Sequence, residues 1–462
     1  MKKNLIHIII ANLFYTLLVA INNFILPKFT SIETYAAIKE YTLYVTTYSN
    51  IMTLGYINGV YLEYGGKELK TLSPVELGRS LLSFIVFMLP VCSAVFIWGL
   101  ASNNVVITAL GVGLISTNLN AYYQMFYQAT GDFKAYGNAL NISRILTLAI
   151  NLFLIFICRT DSRVLYVCSL PLIGVFVAVY LTWVLNKRIP IVRHMRFDFS
   201  FVKKHTKSGF VLMLGDFATK FFSSIDRWFV KGLLETFSFA MYSFAVSMEN
   251  MVNTFMTPIT VSMYNYFCKK PSPAEIRRFK DNALIYSMVI IAGAFPCKWI
   301  LEMFITKYIS ANAVIFPLFA AQGVSTIIRG IYVNKYKADG TQKKYLIQTI
   351  AMLALAVVLN AAFYLVWKSM IGFALATLLT NLIWLIWCEW ETKELRFGWH
   401  SVVSVVILLA VYLFTGMFLS SIVGCLVYCG TGLLLGLTLM RSTFIPLCTS
   451  LLQTVTSKLK KA

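Results

Sequence analysis

The strongest constraint on the fold is that the chain repeats itself. The pattern S-P-x-E-[LI]-x-R occurs at residues 73–79 and again at 272–278. A longer echo has eight identities at one displacement of 209 residues: Tyr123/Tyr332, Tyr127/Tyr336, Ala129/Ala338, Gly131/Gly340, Lys134/Lys343, Tyr136/Tyr345, Leu146/Leu355 and Asn151/Asn360. Duplication in a membrane protein is typical of transporters built from two related bundles with the substrate path between them.

Composition indicates that most of this chain lies in lipid. Of its 462 residues, 58% are hydrophobic and 13% are charged, whereas a water-soluble domain is about a quarter charged. Apolar runs near 20 residues recur along the whole length, which fits helices. The apolar residues do not alternate in the short segments that a transmembrane barrel requires. We therefore predict an all-α polytopic membrane protein.

The apolar runs predict about fourteen spans. They are 5–26, 36–62, 80–100, 105–127, 138–158, 164–185, 209–230, 237–267, 283–305, 312–333, 346–367, 371–390, 399–419 and 422–440. The last two are separated only by Ser420 and Ser421, so one long kinked segment is an alternative there. No small-residue cleavage pattern follows the first run, which we interpret as a retained helix and not a secretory signal.

The distribution of basic residues predicts the topology. The net charge is +21, and most of the 40 Lys and Arg residues fall in alternate loops and in both tails. Positive charge accumulates in the cytoplasmic loops of polytopic proteins, so both termini are predicted to be cytoplasmic. The same rule accounts for the positive charge without a nucleic-acid partner.

The repeat and the span count together predict four segments. Residues 1–186 form an N-terminal six-helix bundle, 187–208 a basic linker, 209–392 a second six-helix bundle, and 393–462 two further spans with a basic tail. Because six is even, the two bundles have the same orientation, related by a pseudo-twofold axis along the membrane normal. The two Ser-Pro-x-Glu sequences are capping boxes. Each is predicted to begin a helix on the cytoplasmic surface that leads into the third or the ninth span.

Enzyme chemistry finds no support in the sequence. There is no P-loop, dinucleotide fingerprint, HExxH or nucleophile elbow, and no large extramembrane segment to hold one. The nine cysteines are scattered without a CxxC motif, and they form no cluster with the four histidines. We predict a protein that is not an enzyme, with no cofactor and no metal site.

The candidate functional residues are polar groups within the spans, because charge inside a membrane is costly and usually faces an interior cavity. We predict that they line a cationic, hydroxyl-rich cavity in which Arg and Lys hold a phosphate and tyrosines contact sugars. The predicted substrate-binding residues are Lys220, Arg227, Arg144, Arg329, Asp226, Glu249, Asn253, Tyr44 and Tyr48.

Several of these residues have a simpler structural interpretation. Asp216 and Lys220 lie one helical turn apart, and mutual neutralisation of their charges could be their whole role. Asp226 and Arg227 could pair locally, and Arg144 could reach lipid headgroups instead of a cavity. Tyr41, Tyr44 and Tyr48 lie along one face of the second span. This tyrosine stripe could serve helix packing alone.

Two motifs resemble a known family. They are the Asp226-Arg227 pair followed by Y-S-F-A at 242–245, and Q-x2-Y-Q-A-x-G-D-F at 124–133. Together they resemble the polysaccharide-transport branch of the multidrug/oligosaccharidyl-lipid/polysaccharide (MOP) exporters, and the nearest type is the Wzx O-antigen flippases. The two spans beyond twelve are a departure from many such flippases. The lipid II flippase branch shares them, and its added helices form a groove for the lipid tail.

The resemblance implies a function that composition does not. It implies alternating access in a bacterial inner membrane, with an undecaprenyl-pyrophosphate-linked oligosaccharide moved from the cytoplasmic to the periplasmic leaflet. Lys220 and Arg227 would meet the pyrophosphate. It further implies contact with membrane lipids, a coupling ion such as H⁺ or Na⁺, and association with other polysaccharide-assembly membrane proteins.

Three other functions were weighed against the flippase. A cation-coupled drug antiporter of the MATE type would favour a carboxylate in the first bundle, where the first span offers only Asn22 and Asn23. An O-antigen polymerase or lipid-linked glycosyltransferase needs a large extracytoplasmic loop, and the loops on that side are about ten residues or shorter. A structural scaffold would leave the repeat unexplained.

Overall fold

A computed structural model describes residues 17–65, 67–130, 133–268, 271–392, 395–447 and 449. This part of the chain is helical and contains no strand. The helices of the first half are α1 (Leu17–Phe29), α2 (Ile32–Met52), α3 (Tyr56–Tyr64), α4 (Pro74–Ala101), α5 (Val105–Thr130), α6 (Phe133–Leu152), α7 (Arg163–Arg188) and α8 (Phe199–Phe222). Those that follow are α9 (Ile225–Leu233), α10 (Thr236–Cys268), α11 (Pro273–Ile291), α12 (Ala294–Phe304), α13 (Asn312–Ile327), α14 (Asn334–Ala338), α15 (Gln342–Trp367), α16 (Met370–Glu391), α17 (Trp399–Phe418) and α18 (Ser421–Thr438).

The helices confirm the predicted all-α membrane class. Among the described residues, ten helical segments are long and apolar enough to span a membrane. The last two predicted spans are separate helices, α17 and α18, and not one kinked segment. Neither α2 nor α8 is among the ten, although both exceed 18 residues. These two helices carry charged residues within predicted spans, so the polar composition that sets them apart also marks where a site can form.

Three predicted spans are interrupted, and one of them is the ninth, 283–305, which is broken at 292–293 between α11 and α12. The second, 36–62, is broken between α2 and α3, where Leu54 and Gly55 have positive φ of 45° and 86°. Gly55 tolerates this left-handed conformation because it has no Cβ. The seventh span, 209–230, is broken at Ser223 and Ser224 between α8 and α9.

The two Ser-Pro-x-Glu sequences differ in detail. Ser272 forms the complete capping box, since its hydroxyl accepts from Glu275 N at 3.3 Å and the Glu275 carboxylate accepts from Ser272 N at 2.8 Å. These hydrogen bonds lower the pKa of Glu275. Ser73 makes no side-chain capping hydrogen bond. Each helix begins at its proline and leads into its predicted span, and its position at the cytoplasmic surface stays a prediction.

By contacts the chain divides into a first unit, Met1–Arg227, and a second unit, Trp228–Ala462. Helix α8 therefore belongs to the first unit, whereas the repeat assigns it to the second bundle. It begins at Phe199, inside the predicted linker 187–208, because the Asp198 side chain caps it by accepting from Ser200 N at 3.0 Å. The division based on the repeat describes duplication and not contact, and it stays a prediction.

The C-terminal helices α17 and α18 are anchored within the second unit. Lys298 of α12 is buried, and it donates to Gly416 O at 2.8 Å and Leu419 O at 2.7 Å, where α17 ends. The Ser421 hydroxyl donates to Glu302 at 2.9 Å, where α18 begins. A buried lysine is stable here because the last carbonyls of a helix are otherwise unsatisfied.

In the first unit, α8 packs against α3 through glycines. Gly55 and Gly59 face Gly209, and their backbones approach so closely that a Cβ at any of the three would clash with the neighbouring backbone. Small residues allow such approach between helices in membranes, where packing replaces the hydrophobic effect as the driving force. The spacing Gly55-x3-Gly59 is typical of such close-packing sites.

Substituting Gly209 with alanine should destabilise the protein. The added methyl group would overlap the backbone of Gly55 and Gly59, and overpacking of this kind costs about 1–3 kcal/mol. Thermal unfolding in detergent should show a lower Tm for Gly209→Ala. The matched control is Gly232→Ala, whose Cβ would meet nothing within 4 Å. Equal Tm values for the two variants would contradict the close contact.

Candidate functional site

Three cations of the first unit interact with one another. Lys39 lies on α2, Arg144 on α6 and Arg227 at the start of α9. The charges of Arg227 and Arg144 both act on the Lys39 ammonium. Like charges on three separate helices repel, so an anion bound near them would be stabilised. We call these three residues the cationic cluster.

Arg227 is held by its own helix while keeping one donor available. Its backbone N donates to Asp226 Oδ1 at 2.7 Å, and Nη2 donates to Ser223 O at 3.4 Å. The buried Nε has no hydrogen-bond partner among the described residues. Asp226 is itself buried. A buried guanidinium donor without a protein acceptor is suited to a phosphate oxygen.

Lys220 is exposed on α8, and Asp216 one turn earlier attracts its charge. Asp216 also accepts from Asn58 Nδ2 at 2.7 Å, which ties α8 to α3. The carboxylate therefore serves a contact between helices as well as the neighbouring lysine. The prediction that Lys220 binds substrate stays a prediction.

The tyrosine stripe of α2 lies beside Lys39. The Tyr44 hydroxyl donates to Glu40 at 2.8 Å, and the Tyr44 and Tyr48 rings lie 6.2 Å apart. Tyr44 is half-buried, and Tyr48 is 36% exposed. This face of α2 thus combines a cation, a carboxylate and two aromatic rings.

The remaining predicted residues lie in the second unit. Arg329 is half-buried in the π-helical segment Ile328–Val333, and Glu249 is half-buried on α10. The side chain of Asn253 lies outside the described part of the chain. These three assignments stay predictions.

Lys39 is a functional candidate that was not among the substrate-binding residues predicted from the sequence. It lies at the edge of the second predicted span, where a lysine ordinarily reaches the membrane surface. The adjacent Glu40 and the following tyrosines were the available signal. Only the approach of α6 and α9 identifies Lys39 as part of a cluster.

The second unit contains a buried polar cluster of its own. Lys280 of α11 is 1% exposed and donates to Glu389 at 2.7 Å and to the Tyr332 hydroxyl at 3.0 Å. It also donates to Leu395 O, and Tyr332 donates to Glu389. Next to it, Tyr336 and Gln348 both donate to Glu391, at 3.1 and 2.5 Å.

The repeat explains where part of this cluster comes from. Tyr332 corresponds to Tyr123, whose hydroxyl lies 2.6 Å from Thr182 Oγ1 on α7. In each unit a tyrosine at the repeated position is thus hydrogen-bonded to the helix that ends its six-span set. The second unit adds the ion pair of Lys280 and Glu389. The repeated tyrosines are therefore structural, and the cluster is a fixed part of the second unit.

An apolar cavity lies beside α17 and α18. Its volume is about 400 Å³, and its walls come from α11, α17 and α18. Its lining includes Met288, Leu408, Tyr428, Gly432 and Leu433.

Comparison with known proteins supports the fold and not the details of the site. Neither a protein-family model nor a curated protein matches the sequence. A structure of the lipid II flippase MurJ in an inward closed conformation matches with a TM-score of 0.66 and 16% identity. This match covers 96% of this chain and 100% of that chain. The chain has the MurJ and MATE fold. An inward-facing MATE transporter of the MOP superfamily matches with a TM-score of 0.56 and 12% identity, over 82% of this chain and 95% of that one.

These likenesses confirm the predicted fold class. Because the MurJ match covers 96% of this chain, it must include at least part of the pair α17 and α18. This agrees with the prediction of two spans beyond twelve. The many apolar helices and these likenesses describe a multi-pass membrane protein. The Wzx type, the inner membrane and the cytoplasmic termini stay predictions.

Removing the carboxylate that pairs with Lys280 should destabilise the second unit. Glu389→Gln leaves a buried ammonium without its counter-charge, which costs about 3–5 kcal/mol. Thermal unfolding should show a large fall in Tm, and adding Lys280→Met should restore part of it. Asp339→Asn is the control, because its salt bridge with Lys335 at 2.7 Å is exposed and should contribute under about 1 kcal/mol. Similar losses in both variants would refute the buried pair.

Proposed function

We propose that this protein flips a polyprenyl-pyrophosphate-linked oligosaccharide, the repeat unit of a surface polysaccharide, across a bacterial inner membrane. The substrate moves from the cytoplasmic to the periplasmic leaflet by alternating access, and no bond in it is made or broken. The observation that carries this proposal is the cationic cluster of Lys39, Arg144 and Arg227, with its unpartnered Arg227 Nε.

A pyrophosphate suits the cationic cluster by charge and by shape. Three cations near one another repel, and a dianion bound between them turns that repulsion into attraction. Arginine can meet two phosphate oxygens at once, whereas lysine acts as a point charge. The cluster combines both kinds of group, and Lys220 supplies a further cation on α8.

The neighbouring face of α2 suits a sugar. Glu40 with the Tyr44 hydroxyl offers hydrogen bonds to sugar hydroxyls, and the rings of Tyr44 and Tyr48 offer apolar surfaces for the faces of a pyranose. Because Lys39 precedes Glu40 directly, phosphate and sugar contacts adjoin on one helix. Glu249, Asn253 and Arg329 are proposed to contribute contacts from the second half.

The apolar cavity of α11, α17 and α18 suits a lipid tail. It is lined by aliphatic and aromatic side chains, so a polyprenyl chain could remain shielded there while its headgroup crosses. MurJ, whose fold extends over these helices, is itself a lipid II flippase. A drug antiporter would have no need of such a cavity.

The second candidate function is a cation-coupled antiporter, since MATE transporters share the fold. In the first unit, Asn22 accepts from Asn151 Nδ2 at 2.6 Å, so an amide pair is found where an antiporter would favour a carboxylate. This observation favours the flippase.

Charge removal in the cationic cluster should impair translocation. Lys39→Ala, Arg144→Ala and Arg227→Ala should each weaken binding of undecaprenyl-pyrophosphate-linked sugar about ten- to hundredfold, because one charged hydrogen bond contributes about 1.5–3 kcal/mol. Arg227→Lys should recover little if the contact is bidentate. Binding to purified protein and surface-polysaccharide production in a deletion strain provide the measurements, and Lys220→Ala belongs in the same series.

The matched control for this series is Arg193→Ala, an exposed arginine of the same unit. It should leave binding and polysaccharide production unchanged, and all variants should reach the membrane in normal amounts. Normal polysaccharide production by the cluster variants would overturn the pyrophosphate site.

Filling the apolar cavity should separate tail binding from headgroup binding. Gly432 lines the cavity, and its Cβ would meet only Leu408 at 3.7 Å, so Gly432→Phe should fit while occupying space for a tail. We expect weaker binding of the full-length polyprenyl substrate and unchanged binding of an analogue with a short prenyl chain. Gly430→Phe is the control, since Gly430 faces open space. Equal effects on both substrates would exclude the tail site.

A further inference from the structure

A buried imidazole lies in the contact between α3 and α8. His205 is fully buried, and its Nδ1 is 3.2 Å from the Glu63 carboxylate while Nε2 is 3.4 Å from the Ser80 hydroxyl. Glu63 also accepts from Lys204 at 2.6 Å. The backbone of His205 is the surface against which Gly59 packs. The titratable group is therefore built into the close glycine contact between α3 and α8.

Groups from four helices surround this imidazole. Ser80 lies 3.1 Å from the Tyr122 hydroxyl, and its carbonyl accepts from the Tyr56 hydroxyl at 2.8 Å. Arg79 is 3.6 Å from Asp198. The charged and titratable groups near the imidazole are Glu63 and Tyr56 from α3, Arg79 and Glu76 from α4, Tyr122 from α5, Lys204 from α8, and Asp198 at its start.

Protonation would oppose this packing. His205 precedes the predicted span 209–230, and burial lowers its pKa from 6.5 to about 4, although the Glu63 carboxylate pulls it upward and Lys204 lowers it further. If α3 and α8 separate, water reaches the imidazole and its pKa returns toward 6.5. The contact is therefore at full strength above pH 6.5 and weakens as the pH falls from 6.5 toward 4.

We propose that His205 binds the coupling proton of the transport cycle, and that its protonation separates α3 from α8. The proposal rests on the proposed function for its role in transport. Helix α8 carries the first span of the second predicted bundle, yet it packs in the first unit. A contact between helices from the two repeats is one that an alternating-access cycle has to break. A proton at this contact would supply the free energy for that step.

The separation can be measured without any glycolipid. Spin labels at Leu62 and Lys207, both exposed, report the α3–α8 distance in a cysteine-free variant of the full chain in lipid nanodiscs. Lowering the pH from 7.5 to 5.5 should increase the separated population about tenfold. Glu63→Gln should extend the response to lower pH without changing where it begins, because loss of the carboxylate lowers the pKa of His205 further in the closed contact only.

The decisive variant is His205→Gln, which cannot be protonated in this range and should keep the short distance at both pH values. The control is His400→Gln, which removes an exposed histidine and should keep the full response. A pH response that persists in His205→Gln, or its absence in the parent protein, would overturn the proposal. Should His205→Gln fail to fold, NMR titration of the ring-labelled parent protein decides, since an imidazole that titrates without a change in distance refutes the coupling.

A transport assay then separates this proposal from the proposed function. In vesicles, a proton gradient should accelerate flipping by the parent protein and by His400→Gln but not by His205→Gln, which should retain only basal flipping. Equal acceleration of all three overturns the coupling role and leaves the flippase intact. Loss of the flippase function itself would appear in the cationic-cluster variants, whereas the distance measurement would remain unaffected.

Discussion

The cost of charge inside a membrane determines where the informative residues of this protein lie. Charged side chains are expelled from lipid unless a partner, a cavity or a ligand compensates them. Helices α2 and α8, which are not among the ten apolar spans, carry Lys39, Glu40, Asp216 and Lys220. Each of these charged side chains either has a partner within the protein or indicates that a ligand binds there. The charged residues of α2 and α8 are therefore candidates for function.

This constraint separates structural charges from functional ones. Lys280 and Lys298 are buried, and their ammonium groups are satisfied by carbonyls or a carboxylate within the second unit. The cationic cluster differs, because its members repel one another and Arg227 keeps a buried donor without a partner among the described residues. A lysine whose charge is satisfied stabilises the fold, whereas like charges that act on one another favour an anionic ligand.

The sequence predicted much of the architecture because its signals are local. Apolar runs gave the helices, and the repeat aligned Tyr123 with Tyr332, each of which is hydrogen-bonded to the last helix of its six-span set. The breaks at Leu54–Gly55 and at Ser223–Ser224 were missed because hydropathy averages over a break of two or three residues. The sequence could not show that Ser272 forms a capping box and Ser73 does not, because the two patterns are the same. The capping hydrogen bonds depend on the direction from which the preceding chain enters the helix.

The site was predicted less completely, because its members come from helices far apart in sequence. Arg144, Arg227 and Lys39 are brought near one another only by helix packing. From the sequence, Lys39 was indistinguishable from a lysine at the membrane surface.

Helix α8 connects the two proposals physically. Its start carries His205, its middle is tied to α3 by Asp216 and Asn58, and Lys220 follows one turn later. Rigid helices transmit displacement along their length, so a change at the glycine contact also moves the residues beyond it. A proton bound near Glu63 could thus alter the position of Lys220 without touching the pyrophosphate. Under the two proposals, the substrate and the coupling proton are therefore linked through one helix and not through one shared binding site.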